Sequence, residues 1–357
     1  MSSKSLRSSN SSSGSGQRAS IHDVAEHAGV AMSSVSRVLT NHPDVSEKMR
    51  TRVMRSVEAL SYEPDWLAQS LRRRETQTVG FTMADISNRV MAEIVMGAET
   101  ELRERGYSMI LTNSEGDGNR DAQHIITLGR RRVDGLLVAT AVEGNRATVR
   151  ALKETGVPVV VIDRNLPRTV GASAAYFDHR AGMREAVGHL LELGHRRISL
   201  VLGQRFRPTI ERRSGLEEAY SERGLSPTFD VLEGHYDEQH GTDATTRVLD
   251  GPDPPTAVIA GSNQLLTGAL RAIKRHGLKV GRDISLASCD EVSLTELYEP
   301  PIAVVHRDNT EMGRRSAQLL LERLRGDPPP GVVTLPTWFE PRPSCVAPAK
   351  VARRSRK

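Results

Sequence analysis

The chain has 357 residues, 38% of them hydrophobic, which is long enough for two or three packed domains. No apolar stretch approaches the length of a membrane span, and the two cysteines, Cys289 and Cys345, are too few for a disulfide framework and fit a reducing cytoplasm. The formal net charge of +5 arises at the two ends of the chain, so the high isoelectric point does not indicate a basic face on the folded part.

Both ends are predicted to be disordered and basic. Residues 1–18 are rich in serine, carry Lys4, Arg7 and Arg18, and lack the apolar core of a signal peptide. Residues 346–357 carry five further basic residues and no acid, which leaves a net charge of about −3 on the rest. Such tails either add salt-dependent affinity for nucleic acid or only keep the chain in solution.

From Ser20 onward the pattern predicts two short helices joined by a tight turn. Apolar residues at i, i+3, i+4 and i+7 run from Ile21 to Ala28, and Ser20 with Asp23 approximates a capping box. Gly29 follows, where a residue with positive φ ends a helix at little cost. The start of the second helix leaves an exposed set of residues, which consists of Met32, Ser33, Ser34, Ser36 and Arg37.

This arrangement predicts a helix-turn-helix over residues 19–62. A third helix, capped by Ser46, supports the pair with an apolar stripe that includes Val53 and Val57. In such a motif the first residues of the second helix meet base edges in the major groove, where arginine binds guanine O6 and N7. The alternative is a plain helical bundle with a solvated outer face, but the order of cap, turn and helices favours duplex DNA as the partner.

The segment resembles the headpiece of the LacI/GalR family of bacterial repressors, whose usual pattern is DVAxxAGVSxxTVSRVLN. DVAEHAGV and VSRVL occur here unchanged, whereas the family's serine before the second helix is Ala31. Losing that cap costs roughly 0.5–2 kcal/mol unless Ser33 caps a helix that starts later. The resemblance implies base readers and then phosphate binders at the following positions: Met32, Ser33 and Arg37, then Ser34, Ser36 and Asn41.

Residues 63–77 are predicted as hinge helix and linker, since Tyr62–Leu71, with the sequence YEPDWLAQSL, resembles the family's hinge, YxPNxxAxxL. A helix this short is unstable alone in water, so the resemblance implies that it folds when two copies meet in the minor groove. Leu71 would then pry a base step open. The family's asparagine is Asp65 here, which places a negative charge near DNA, and without the resemblance Leu71 is interpreted as an ordinary buried leucine.

From residue 78 to residue 345 apolar runs alternate with amphipathic stretches, which predicts parallel sheets covered by helices on both faces. The predicted strands are Val79–Phe81, Ser108–Leu111, Val133–Ala139, Val157–Ile162, Ile198–Leu202, Ala257–Ala260 and Ile284–Ser288. The predicted helices are Met91–Arg105, Gln123–Arg131, Ala147–Thr155, Arg180–Leu193, Gly215–Arg223, Gly241–Leu249, Leu265–His276 and Met312–Arg325. Ligands bind such sheets beyond the carboxyl ends of the strands, so polar residues there are candidates for a site.

Phrases such as RRVDGLLVA, VPVVVIDR and EMGRRSAQLLLERL resemble the same family, and with the headpiece they cover roughly nine-tenths of the chain. The resemblance implies an all-α helix-turn-helix headpiece followed by an α/β two-lobed domain like a type I periplasmic sugar-binding protein. It also implies effector contacts at Val90, Met91, Asp163, Arg164, Arg212, Tyr236, Asn263, Asp290 and Arg307. Arg205 and Arg207 are nearby candidates with a poorer match.

Each of these side chains has an ordinary alternative, since Asp and Asn at strand ends often cap helices or close turns, and Arg212 could pair with a surface carboxylate. Together an acid, an arginine, an amide and an aromatic ring favour a polyol or sugar site. Arg164 and Arg307, the latter in place of the family's common glutamine, suggest an anionic ligand such as a sugar acid or phosphosugar.

The sequence therefore predicts a ligand-controlled transcriptional regulator, most readily a repressor, that binds a palindromic operator as a homodimer. The resemblance implies that ligand closes the lobes, shifts the dimer interface and melts or orders the hinge. A transport component and an enzyme are the competing classes. The intact headpiece argues against the first, and the lack of a phosphate-binding glycine loop, nucleophile elbow or metal spacing argues against the second. A regulator with a nucleobase-like corepressor, or with no effector, stays open.

Overall fold

The computed structural model describes residues 19–62, 75–326 and 331–348. The chain divides into two compact units, Met1–Thr76 and Gln77–Lys357. The predictions for residues 1–18, for residues 349–357 of the C-terminal tail, for residues 63–74 of the hinge and for Asp65 and Leu71 lie outside the described residues. The first residue of the predicted C-terminal tail, Val346, is ordered by backbone hydrogen bonds to the Ser285 hydroxyl. None of the described helices is long and apolar enough to cross a membrane.

The described residues of the first unit form three helices, α1 (Ile21–Ala28), α2 (Met32–Leu39) and α3 (Glu47–Ala59). Ser20 and Asp23 form the predicted capping box, and Gly29 ends α1 in the left-handed conformation with φ of 60°. The helix α2 begins at Met32 after Ala31 with no side-chain cap, so the expectation that Ser33 caps a later start is wrong. The three helices enclose a small core that includes Val24, Val35 and Val53.

The second unit contains two six-stranded sheets, which define a first and a second lobe. The sheet of the first lobe has the order β11-β5-β4-β3-β1-β2 and that of the second has the order β12-β10-β9-β8-β6-β7. The strands of the first lobe are β1 (Thr78–Met83), β2 (Ser108–Asn113), β3 (Gly135–Ala139), β4 (Val159–Ile162), β5 (Ser173–Phe177) and β11 (Val332–Leu335). Those of the second are β6 (Ile198–Leu202), β7 (Phe229–Glu233), β8 (Ala257–Ala260), β9 (Ser285–Ser288), β10 (Ala303–His306) and β12 (Trp338–Glu340).

Helices flank both sheets. They are α4 (Arg89–Glu104), α5 (Gly118–Arg130), α6 (Arg146–Thr155), α7 (His179–Glu192), α8 (Arg207–Glu222), α9 (Glu238–Leu249), α10 (Asn263–Arg275), α11 (Ser293–Leu297) and α12 (Asn309–Leu324). The chain passes between lobes after β5, after β10 and after β11. A short 3-10 turn lies at Arg168–Val170.

The strand predictions were incomplete, because five strands went unpredicted: β5, β7, β10, β11 and β12. These strands are three to five residues long, and β5 contains the small residues Ser173, Ala174 and Ala175, which give little apolar contrast. The expectation of purely parallel sheets was also wrong, since β12 pairs antiparallel to β10. All the other strand pairs among the described residues are parallel.

The helix α8 begins at Arg207, eight residues before the predicted start at Gly215. The reason lies in its first two turns, where Thr209 and Arg212 are buried although they are polar. An amphipathic pattern assigns polar residues to solvent, so the pattern becomes regular only where Leu216 and Ala219 point into the core. The buried polar stretch faces a cleft rather than the core.

The helices α4 and α12 of the first lobe touch backbone to backbone. A Cβ atom built on Gly97 would lie 2.0 Å from the carbonyl oxygen of Thr310, and one built on Gly313 would lie 1.9 Å from that of Ile94. Only glycine permits this approach, because any larger residue overlaps a main-chain atom that cannot turn away.

We expect Gly97→Ala to lower the free energy of unfolding by about 1–3 kcal/mol, since the methyl group forces α4 and α12 apart. Gly129→Ala on α5 is the matched control, because its new Cβ meets only Thr155 Cγ2 at 3.4 Å and replaces a helical glycine. Urea unfolding followed by circular dichroism measures both. Equal stability of the two variants would contradict the packing argument.

Candidate functional site

The predicted DNA-contacting residues lie at the surface of the first unit. Met32 is 49% exposed at the start of α2, Ser33 and Arg37 are also exposed, and Ser34 and Ser36 are half-buried. Asn41 adopts a positive φ of 54° just after α2 and accepts a hydrogen bond from the Arg50 guanidinium. The helix therefore presents a methionine, a hydroxyl and an arginine outward, while its Val35 and Val38 hold it on the core.

One group of possible metal ligands lies on α1 of this unit, but its surroundings are not those of a metal site. His22, Asp23 and Glu26 on α1 place ligand atoms within 4.8 Å of one another, but all three are exposed. Asp23 already accepts hydrogen bonds from the backbone and hydroxyl of Ser20 as the capping box. The helix cap therefore accounts for the position of the Asp23 carboxylate.

In the second unit a cavity of about 400 Å³ lies between the two lobes. Its walls come from the carboxyl ends of strands in both sheets, as expected for open α/β sheets. The lining combines charged groups with apolar and aromatic side chains and includes Asp85, Asn88, Val90, Met91, Asp163, Arg164, Gln204, Phe206, Arg212, Tyr236, Gln264, Asp290 and Arg307.

Asp163 follows β4 in the first lobe and is 4% exposed, with a positive φ of 51°. Its Oδ1 accepts the backbone N–H of Phe177 at 3.3 Å, and its Oδ2 lies 2.8 Å from Nε2 of the buried His179. Burial by itself opposes ionisation, but His179 and then the guanidinium groups of Arg307 and Arg164 hold the pKa of Asp163 below its ordinary value. The residue is a buried carboxylate.

Burial lowers the pKa of His179 to about 4, although Asp163 opposes the change. The imidazole is therefore neutral at pH 7, and its Nε2–H donates to Asp163. This bond fixes the direction of the carboxylate inside the cleft. His179 was not predicted as part of the site, because it begins a helix and its neighbours in sequence carry no pattern that points to Asp163.

Asp290 follows β9 in the second lobe and is 2% exposed. Its Oδ2 accepts the backbone N–H of Asn263 at 2.9 Å, and its Oδ1 accepts a hydrogen bond from Nη2 of Arg307. Burial opposes ionisation here too, yet the charges of Arg307 and Arg212 lower the pKa of Asp290. Arg307 lies on the crossover after β10, and its Nη1 is also 3.8 Å from Oδ2 of Asp163. One guanidinium thus bridges two acids that belong to different lobes.

Arg212 on α8 is the other deeply buried cation of the cleft, at 3% exposure. Its Nη1 donates to the carbonyl oxygen of Gly261 at 2.8 Å. Within the described parts of the chain, no carboxylate forms a salt bridge with it. Burial opposes its charge, but the partial and full negative charges around it keep the group protonated.

An aromatic wall faces these charges. The rings of Phe206 and Tyr236 are nearly parallel, with centroids 6.2 Å apart, and the Arg164 guanidinium lies 4.6 Å above the Phe206 ring. The Tyr236 hydroxyl is 3.0 Å from Oγ1 of Thr209. Glycine is needed at Gly203, since a Cβ there would lie 2.2 Å from the Tyr236 ring.

The structure brings eight of the nine predicted effector contacts into the lining of the cleft. The ninth, Asn263, uses its backbone to hold Asp290, and its neighbour Gln264 lines the cleft instead. Sequence reasoning missed Phe206, Gln264 and Asp85. The strand-end rule could have found Phe206, because Gly203–Phe206 directly follow β6. Of the two nearby candidates, Arg205 is exposed and Arg207 pairs with Glu211.

Side chains also join the two lobes at both edges of the cleft. At one edge Gln264 Nε2 donates to Asp85 Oδ2 at 3.0 Å and Arg89 Nη1 donates to Ser293 Oγ at 3.2 Å. At the other edge Oε1 of Glu143 accepts the backbone N–H of Arg207 at 2.8 Å. These bonds hold the lobes together around the cavity, so a change in the arrangement of the lobes would alter the hydrogen bonds at both edges.

Both units match families of known proteins. Residues 20–65 match the bacterial regulatory proteins of the lacI family, and residues 187–345 match the periplasmic binding protein-like domain. The chain is 31% identical over 309 residues to the HTH-type transcriptional repressor PurR of Aliivibrio salmonicida, covering 86% of this chain and 92% of the relative. It is 30% identical over 310 residues to the ribose operon repressor of Haemophilus influenzae, with coverage of 86% and 92%.

A solved structure of the lac repressor dimer bound to operator and the anti-inducer ONPF is also similar. Its TM-score is 0.82 at 26% identity, and the match covers 93% of this chain and 100% of that one. These similarities confirm the predicted family resemblance and the predicted fold class, a helix-turn-helix unit with a two-sheet α/β domain.

The buried His179 predicts how stability depends on pH. The unfolded chain binds a proton at this side chain near pH 6.5, whereas the folded chain binds it only near pH 4. The unfolded state therefore holds more protons in this window, and acidification from pH 6.5 to about 4 should cost up to about 3 kcal/mol of stability. Below that window the lowered pKa values of Asp163 and Asp290 continue the loss in the same direction.

We expect His179→Gln, whose amide can still donate to Asp163, to flatten the pH dependence between about pH 6.5 and about pH 4. Urea unfolding at a series of pH values measures the slope for both proteins. An unchanged slope in the variant would show that His179 is not the titrating group.

Proposed function

Because the chain belongs to the LacI family of bacterial regulatory proteins, we propose that it is a sequence-specific transcriptional repressor whose operator affinity is controlled by a small molecule bound between the two lobes. The observation that carries the proposal is the presence in one chain of a helix-turn-helix with an exposed α2 and of a cleft lined by buried, oriented charges. Such a chain acts where the chromosome is, in the cytoplasm.

The DNA-binding part rests on the chemistry of the α2 surface. Arg37 is exposed, forms no salt bridge with the described residues and lies one turn beyond Ser33, so its guanidinium is available for the bidentate contact with guanine. Ser34, Ser36 and Asn41 offer hydroxyl and amide groups at the same end of the unit, which suits phosphate contacts. Met32 adds an apolar contact, which suits a thymine methyl group.

We propose that the protein binds DNA as a homodimer on a palindromic operator, since one helix-turn-helix reads only a half-site. The second unit has apolar residues that an interface would cover, including Met96 on α4, which is 66% exposed, and Leu297 at the end of α11, which is 79% exposed. Both helices lie at one edge of the cleft, where Arg89 and Ser293 join them. A solved lac repressor structure is described as a dimer bound to operator.

The cleft is suited to a sugar or a sugar derivative. Buried carboxylates and a buried guanidinium supply directional hydrogen bonds, and the Phe206 and Tyr236 rings supply a flat apolar wall. A relative is named as a ribose operon repressor. A second candidate is a nucleobase-like corepressor, which the near-parallel aromatic pair favours because planar ligands stack on such rings.

Control of DNA binding by the ligand follows from thermodynamic linkage. A ligand that contacts both lobes changes the free-energy difference between their arrangements, and a coupling of 1–3 kcal/mol, about 5- to 150-fold in operator affinity, is typical of such proteins. The bonds at both edges of the cleft, from Asp85 to Gln264 and from Glu143 to Arg207, are the elements that a ligand would strengthen or break.

The DNA contact is tested with Arg37→Ala on an operator selected from random duplexes by the full chain. We expect a loss of about 1–3 kcal/mol, or roughly 5- to 150-fold in affinity, together with weaker selection for guanine at one position of each half-site. Arg55→Ala is the control, because Arg55 is exposed on α3 rather than α2. Equal operator affinity of Arg37→Ala and Arg55→Ala, measured by fluorescence anisotropy, would rule out the assigned role.

The effector site is tested by a thermal-shift screen of the full chain against neutral sugars, sugar acids, phosphosugars and purines. A ligand at 100 times its dissociation constant stabilises the folded state by about 2.7 kcal/mol. Arg212→Gln should abolish the shift, and Arg213→Gln should keep it, because Arg213 is the exposed neighbour that pairs with Glu217. A hit that alters operator affinity supports the proposal, whereas a shift that persists in Arg212→Gln would place the ligand elsewhere.

A further inference from the structure

The two buried acids of the cleft, Asp163 and Asp290, already accept hydrogen bonds from other groups of the protein. The Oδ1 and Oδ2 atoms of Asp163 accept from Phe177 and His179, and those of Asp290 accept from Arg307 and Asn263. Each of the four oxygens thus holds a hydrogen bond before any ligand arrives. Each carboxylate therefore already uses about half of its roughly four acceptor sites, which leaves fewer of them for the hydroxyl groups of a sugar.

Arg307 offsets one of the two negative charges that these acids carry. Its guanidinium pairs with Asp290 and lies 3.8 Å from Oδ2 of Asp163, and the side chain is only 11% exposed. A cation held between two buried carboxylates offsets their charge at close range, where the low local dielectric makes the effect strong. The cleft therefore offers ligand hydroxyls much less negative charge than its acids suggest.

The hydrogen-bond donors of the cleft, in contrast to its acids, lack charged partners. Arg212 is 3% exposed, it donates to the uncharged carbonyl of Gly261, and no carboxylate among the described residues lies in salt-bridge contact with it. Among the same residues, Nε of Arg307 is buried without an acceptor. The acids influence Arg212 only from a distance, so an anionic oxygen of a ligand would supply the charged acceptor in direct contact that its guanidinium lacks.

Other acids line the cleft but do not reverse this balance. Asp85 accepts hydrogen bonds from Gln264 and Ser87, and Glu115 and Asp237 are exposed at the rim, where water and salt screen their charge. Arg164, half-buried beside Asp163, adds a further cation to the inner wall. The deep part of the cleft therefore attracts acceptors rather than donors.

We propose that Arg307 determines the charge of the ligand: by occupying Asp163 and Asp290 it leaves Arg212 as the unpaired cation, so the cleft selects a carboxylate- or phosphate-bearing ligand over its neutral counterpart. The inference rests on the proposed function, since it concerns the same effector site. Arg212 contacts the anionic group, and Arg307 acts through the two carboxylates.

The test uses the full chain and four probes, D-ribose, D-ribonate, D-ribose 5-phosphate and inorganic phosphate, with sulfate-free buffers of matched ionic strength. We expect the phosphate or carboxylate form of ribose to bind the wild-type protein about 10- to 150-fold more tightly than ribose, as measured by calorimetry. Ribonate and ribose 5-phosphate distinguish a carboxylate from a phosphate ligand. Inorganic phosphate should raise the melting temperature of the wild type and of Arg213→Gln but not that of Arg212→Gln.

Arg307→Gln is the decisive variant, because it frees both carboxylates and removes their counter-charge. We expect the preference for the anionic ribose derivative to shrink to parity or to reverse in favour of ribose. Arg307→Lys, which keeps the charge, should retain the wild-type preference. If Arg307→Gln unfolds, Arg307→Gln with Asp290→Asn removes the pair together and leaves one buried acid to accept hydroxyls, and the same loss of preference is expected.

Three results would overturn the inference: ribose binding the wild type as tightly as its anionic derivatives, an unchanged preference in Arg307→Gln, or no effect of inorganic phosphate on the wild-type melting temperature. Neutral sugar binding that depends on Arg212 would refute the charge selection and leave the proposed function standing. Failure of the proposed function is recognised separately, by a chain that selects no operator.

Discussion

The cleft depends on one ion-pair arrangement, the placement of the Arg307 guanidinium between Asp163 and Asp290. The two acids end strands in different sheets and are almost completely buried, and two carboxylates withdrawn from water in this way need a nearby cation to remain ionised. Arg307 supplies it from a crossover segment that belongs to neither sheet. The same contact orients both acids, links the lobes at the floor of the cavity and decides which polar groups remain for a ligand.

Around this centre the hydrogen bonds form two layers. The inner layer holds the acids in place through backbone N–H groups and through the neutral imidazole of His179, so that few rotations are left to the groups that face the ligand. The outer layer joins the lobes through the side chain of Glu143 and the backbone N–H of Arg207 at one edge, and through the side chains of Asp85 and Gln264 at the other. In the proposed function, a ligand that strengthens or breaks bonds of the outer layer shifts the balance between lobe arrangements.

The first unit is built on simpler terms. Its helices are ended by a capping box and by a left-handed glycine, and its small core is made of short-range contacts among apolar residues of neighbouring helices. The start of α2 after Ala31 is a local weakness at the end that is proposed to meet DNA, because no side chain among the described residues caps the first backbone N–H groups and phosphate oxygens can bind there instead. The proposed DNA contact and the proposed ligand site thus differ in kind. The first uses an uncapped helix end in one unit, and the second uses a buried network of paired charges in the other.

Local pattern was sufficient for much of this protein. The caps and turn of the headpiece and the alternation of strands and helices could be predicted, because caps and periodicity depend on residues close together in the chain. Asp163 and Asp290 were candidates through the family resemblance, which places polar contacts after these strands. The short strands at or next to the sheet edges (β5, β7, β10, β11 and β12), the early start of α8 and the role of His179 could not be predicted. Such a short strand is defined by the strand it pairs with, and a buried polar helix turn by the cavity it faces. The role of His179 is defined by a carboxylate sixteen residues away. Which side chains pair across the cleft was decided by the tertiary structure alone, because Arg307 meets Asp163 and Asp290 only when two sheets and a crossover have been brought together.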